Sequence, residues 1–198
     1  LITCTISATI DISMNSDKTG ALITLTPTAG AANDTCDLLI GMKSLIDKVG
    51  NENNTQTILN FTYDNEPPIV QSVTSANLES HSGIKYLNEN LINGTNLVVT
   101  VDLSDNIVED FDSLFTTSSY SIVPDVSSTL DVSGSTATIT YDMSNAEELD
   151  YTFTVLNSNF SDIAGNTYSG GDVTLDFTYD VTKPVINNLS SDLVSDPS

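Results

Sequence analysis

The residues in this chain that can do chemistry are nearly all acids. There are 27 Asp and Glu against five basic residues, all lysine, and the formal net charge is −22. Two groups of acids have the character of a Ca²⁺ site, which takes six to eight oxygens from Asp, Asn and backbone carbonyls in loops. One is Asp102, Asp105, Asn106, Glu109 and Asp110, with Asp112 beyond it. The other is Asp64 and Glu66, with Asp180 as a second copy, near the acids Asp47 and Asp162 of two Gly-Asn turns. Neither group has EF-hand spacing. The alternative for both is a solvated acidic face.

Other chemistry is sparse. Cys4 and Cys36 are the two cysteines. Both fall on strand-like segments, which favours a disulfide between them, on the order of 3 kcal/mol for a loop of this size; two buried free thiols are the alternative. His81 is the one histidine, set between serines, and no Gly-x-Ser-x-Gly elbow accompanies it. Paired carboxylates for glycoside hydrolysis are available in any acidic chain, but no Trp is present to line a sugar subsite. The expectation is therefore a protein that is not an enzyme. Six N-x-S/T sequons, at Asn33, Asn53, Asn60, Asn93, Asn159 and Asn188, are glycosylation candidates, though chance alone gives roughly five in a chain so rich in Asn, Ser and Thr.

The charge also excludes partners. Phosphate backbones and anionic lipid are held by clustered Lys and Arg, so neither nucleic acid nor direct membrane insertion is expected. No run of 18 apolar residues occurs, and a helical membrane span needs about that many.

The elements that must position these residues read as strands. Short runs rich in Val, Ile, Thr and Tyr alternate apolar and polar residues, as half-buried strands do. Residues 1–13, 21–27, 36–42 and 55–63 form a first set. Residues 69–75, 84–87, 96–103, 120–123, 129–132, 135–141, 151–156 and 173–179 form a second. Seven or so short strands at this spacing predict a β-sandwich. A helical turn is considered only between Leu38 and Val49.

Two stretches repeat. Leu59-Asn60-Phe61-Thr62-Tyr63-Asp64, followed by Pro67-Pro68-Ile69-Val70, returns as Leu175-Asp176-Phe177-Thr178-Tyr179-Asp180, followed by Pro184-Val185-Ile186, 116 positions later. Upstream, Asp47-Lys48-Val49-Gly50-Asn51 returns as Asp162-Ile163-Ala164-Gly165-Asn166. Self-similarity at a fixed period marks a modular array. The phase divides the chain into a partial module over 1–64, a complete module over 65–180, and a linker with an opening strand over 181–198.

The D-x-A-G-N turn, the strand ending in Asp and the T-x-P-V opening resemble the bacterial and archaeal immunoglobulin-like tandem repeats of adhesins, surface layers and surface filaments. The resemblance is clearest at Asp162 to Asn166 and at Asp180 to Ile186. It implies two consecutive immunoglobulin-like β-sandwiches, the first incomplete, in an extracellular structural protein. The partners it implies are copies of itself, head to tail. Residues 185–198, with Val185, Ile186, Leu189 and Leu193 as contacts, are expected to complete the N-terminal module of a neighbour by strand donation. A chain cut from a longer array, in which the same contact is made within one polypeptide, stands beside that expectation. So does an accessory ligand-binding module of a larger secreted protein.

Overall fold

A computed structural model describes residues 2–3, 7–17, 20–28, 34–87, 96–105 and 111–189. The chain is all-β, built from several antiparallel sheets. The strands are β1 (Ile2–Thr3), β2 (Ala8–Met14), β3 (Ala21–Pro27), β4 (Asp34–Ile40), β5 (Thr57–Tyr63), β6 (Ile69–Thr74), β7 (Glu79–His81), β8 (Ile84–Leu87), β9 (Asn96–Ser104), β10 (Tyr120–Val123), β11 (Ser128–Ser133), β12 (Thr136–Asp142), β13 (Asp150–Val155) and β14 (Val173–Tyr179). The helical turn considered over Leu38 to Val49 does not form: β4 runs on to Ile40, and turns follow it.

From β6 onward, two sheets enclose one core. Their orders are β10-β13-β14-β8-β7 and β11-β12-β9-β6, with every pairing antiparallel except β14 with β8. The core follows from period-2 alternation. Strand β9 buries Leu97, Val99, Val101 and Leu103; β12 buries Ala137, Ile139 and Tyr141; β13 buries Tyr151, Phe153 and Val155; β14 buries Leu175, Phe177 and Tyr179. Phe111, Phe115, Phe160 and Tyr168 close one end of this core, with Phe160 stacked on Tyr168 at 4.9 Å and edge-on to Phe115 at 5.2 Å. The β7–β8 hairpin is set by Ser82 and Gly83, both at positive φ, the two-residue turn that matches strand twist.

The N-terminal strands repeat the second half of this arrangement. The β1-β4-β5 sheet and the β2–β3 hairpin correspond to β10-β13-β14 and β11–β12. Ile2 pairs with Leu38 as Ile122 pairs with Phe153, and Cys36 pairs with Phe61 as Tyr151 pairs with Phe177. Burial does not repeat. Leu59 is 57% exposed, whereas its counterpart Leu175 is 2% exposed. Cys36 is fully buried and disulfide-bonded; Cys4 lies outside the described residues. Alkylating the native chain is expected to add no mass, and alkylating after reduction is expected to add two groups. Uptake of label before reduction would contradict a closed pair.

Candidate functional site

Three segments distant in sequence meet at the end of the core that the aromatic residues close. The residue after β5 is Asp64, the residue after β9 is Asp105, and Asp162 lies in the loop between β13 and β14. One carboxylate oxygen from each lies within 4.8 Å of the other two.

The Asp162 turn is built locally. Asp162 N–H donates to Asn166 O at 3.1 Å, and Gly165 N–H donates to Asp162 O at 3.2 Å. The Asp162 carboxylate accepts from Asn166 N–H at 2.8 Å and from Asn166 Nδ2 at 2.9 Å. Gly165 sits at φ +93°, a conformation that costs a residue with a Cβ. Phe160 and Tyr168 flank the turn, and Tyr168 N–H bonds Phe160 O at 3.0 Å, so the aromatic plug carries it. Asn166 Nδ2 also reaches the backbone oxygen of Asp64 at 3.3 Å. In the linker, Asp64 Oδ1 accepts from Glu66 N–H at 3.0 Å, an Asx turn that fixes the carboxylate.

The same turn stands at Asp47, where Asn51 donates from N–H and from Nδ2, both at 2.8 Å, and Gly50 lies at φ +93°. There it is exposed. Asn51's side-chain amide, then its backbone N–H and that of Val49, hold the Asp47 carboxyl below the ordinary carboxylate range. That contribution is present above the unfolded carboxylate pKa and is lost as pH falls through the depressed value.

Burial distinguishes the junction from a solvated acidic face. Asp162 is 1% exposed, Asp105 is 8% exposed, and Asp64 is half-buried. Like charges at such separation repel by roughly 3 kcal/mol per pair at an effective dielectric constant of about 20. A divalent cation removes that repulsion, and carboxylates with nearby carbonyl oxygens are the donor set a hard cation takes. Asp64, Asp105 and Asp162 are therefore residues that could hold a hard cation such as Ca²⁺.

The other sequence candidates separate. Asp102 faces the outside of the sheet, where Ser72 Oγ donates to it at 2.7 Å and Thr136 Oγ1 at 3.5 Å. Glu66 is exposed. Asp112 accepts from Gly134 N–H at 2.8 Å. Asn106, Glu109 and Asp110 lie outside the described residues. Asp162 was legible as the acid of its turn, but nothing in the spacing aimed it at Asp105.

Asp180 leaves the core at the other end. Its carboxylate accepts from Thr182 N–H at 3.0 Å, which repeats the Asx turn of Asp64. Glu148 then grips the outgoing chain: it accepts from Val181 N–H at 3.0 Å and from Thr182 Oγ1 at 2.8 Å. Glu148→Ala is expected to speed amide exchange at Val181 at least tenfold while β14 stays protected; unchanged exchange there would remove Glu148 from this role.

Of the sequons, Asn33 and Asn93 lie outside the described residues. The amide nitrogens of Asn53, Asn60 and Asn159 donate to Gly41 O, Asp37 Oδ1 and Ser118 O respectively, so a glycan there would leave each nitrogen a single N–H with which to keep its bond. Asn188 is exposed, as are Val185, Ile186 and Leu189; Leu193 lies outside the described residues. His81 sits beside Glu79, with Nε2 3.4 Å from its carboxylate. A groove on the outer face of β13, β14 and β8 is lined by Lys85, Asp150 and Asp176. Both acids accept from threonines across the strands, at 2.6 Å and 2.7 Å.

Comparison of the chain with protein-family models, with curated proteins and with solved structures finds no match.

Proposed function

We propose that this chain is a non-enzymatic, extracellular structural segment of a prokaryotic surface filament, surface layer or adhesin stalk, made of immunoglobulin-like modules joined end to end. Strand order supports the module type. Lettered along the chain, β6, β9, β10, β11, β12, β13 and β14 become A to G. The sheets are then A-B-E-D and C-F-G, the immunoglobulin constant-type arrangement, with β7–β8 added beside G. The N-terminal strands supply C, D, E, F and G of a preceding module.

The observation that carries the functional reading is where the linkers attach. The incoming linker is held at Asp64 beside Asp105 and Asp162, and the outgoing one at Asp180 beside Glu148. Strand β14 runs between the two ends, and seven residues of strand span about 20 Å. A module entered at one end and left at the other is a spacer. Ca²⁺ at the Asp64 junction stiffens the joint between consecutive modules.

Small-angle X-ray scattering from the full chain in calcium tests this. An elongated particle, with the two repeats end to end, is the expected result. A compact particle, with the repeats folded side by side, would overturn it.

A further inference from the structure

Strand β14 is paired unequally on its two sides. Toward β13 it is paired from Val173 to Thr178. Toward β8 it is paired only at Thr178 and Tyr179, in parallel. Alternation assigns the groups left over. Tyr179 N–H donates to Leu149 O, on the β13 side, and Asp180 N–H donates to Leu87 O, on the β8 side. Even-numbered residues therefore bond away from β13. The backbone N–H and C=O of Thr174 and Asp176 point past the tip of the β7–β8 hairpin, and among the described residues no strand takes them up.

An open edge of this kind is a template for another strand, and the side chains beside it say which. A groove of about 680 Å³ lies over this part of β14, in the size range of ligand clefts. Its lining includes Ile84, Lys85, Asp150, Thr174 and Asp176. Two carboxylates thus stand against one ammonium, on a chain of net charge −22. The Thr178 and Thr152 hydroxyls donate to Asp150 and Asp176 at 2.6 Å and 2.7 Å. A carboxylate has about four acceptor sites, so each acid keeps sites for donors from outside.

We infer that the Thr174–Asp176 edge is a strand-addition site for an extended, basic segment of another protein. Thr174 and Asp176 supply the ladder, an N–H and a C=O from each. A lysine or arginine on the outward side of the added strand meets Asp176, and the field of Asp150 adds to the attraction. A second copy of this chain, itself at −22, is the poorer occupant of an acidic groove. The inference depends neither on calcium nor on the modular reading.

The probe is a capped seven-residue peptide alternating lysine and valine, added at millimolar concentration to the full chain, with its glutamate counterpart as control. The lysine peptide is expected to slow amide exchange at Thr174 and Asp176 at least tenfold, and the glutamate peptide less than twofold. Thr174→Pro removes an edge donor that faces away from β13, which an edge strand tolerates. Asp176→Lys reverses the charge and leaves the backbone as it is, should proline disturb β14. Each is expected to weaken binding of the lysine peptide at least fivefold. No protection at the two amides, protection spread evenly over the acidic surface, or undiminished affinity in both variants would overturn the inference. So would a concentration-dependent dimer of the chain alone that protects the same amides, because a second copy would then be the occupant. The spacer reading is judged separately, by the scattering.

Discussion

Millimolar calcium in place of a chelator is expected to raise the melting temperature of the two-sheet unit from β6 onward by about 10 °C. A ligand present at a hundredfold its dissociation constant adds about 2.7 kcal/mol to the folded state, and 1 kcal/mol moves a small domain by roughly 4 °C or more. The cause is the convergence of Asp64, Asp105 and Asp162, whose carboxylate oxygens lie within 4.8 Å of one another in a buried junction. Asp64→Asn gives the sharper result. Asparagine keeps an oxygen for Glu66 N–H, so the Asx turn survives. With chelator the variant is expected to melt above the parent, because one of three repelling charges is gone. With calcium it is expected to melt below the parent. An unchanged order of the two proteins across both conditions, measured by calorimetry, would reject the cation reading.

The second large effect is a matched pair. Leu175→Ala is expected to destabilise the core it packs in by about 2–5 kcal/mol, the range for truncating a buried leucine. Leu59→Ala removes the same side chain from the same place in the repeat, yet is expected to change stability by about 0.5 kcal/mol or less, as exposed substitutions do. Their exposures are 2% and 57%. Urea melts of the two variants measure the difference directly. Equal costs would mean that the N-terminal face is covered in solution.

That pair also marks the limit of the sequence. Leu59 to Asp64 and Leu175 to Asp180 read alike because strand formation and the closing Asx turn are local. Burial is not local: it depends on whether a second sheet faces the strand across the core, as the β9 sheet faces β14, and nothing within the six residues reports this. The acid cluster divides in the same way. The D-x-x-G-N turn was legible twice, through its Gly-Asn pair. The meeting of Asp162 with Asp105 follows from sheet order, which brings the end of β9 to the loop after β13. Asp102 was a reasonable ligand by composition, but three residues of pleated strand put it among the hydroxyls of Ser72 and Thr136 on the outer face. The β7 strand, Glu79-Ser80-His81, is polar throughout, so alternation could not find it; the Ser82-Gly83 turn was its signal.

Attachment of the linkers at opposite ends has a mechanical consequence. Tension applied through them pulls β6 outward at its first residue and β14 outward at its last. The β6–β9 ladder is then loaded along the strands, in shear, and its hydrogen bonds must fail together instead of unzipping one by one. Survival under load is governed by the unfolding rate and not by equilibrium stability. A cation that ties Asp64 to Asp105 and Asp162 would place its bonds in the line of force, ahead of the first hydrogen bond of β6.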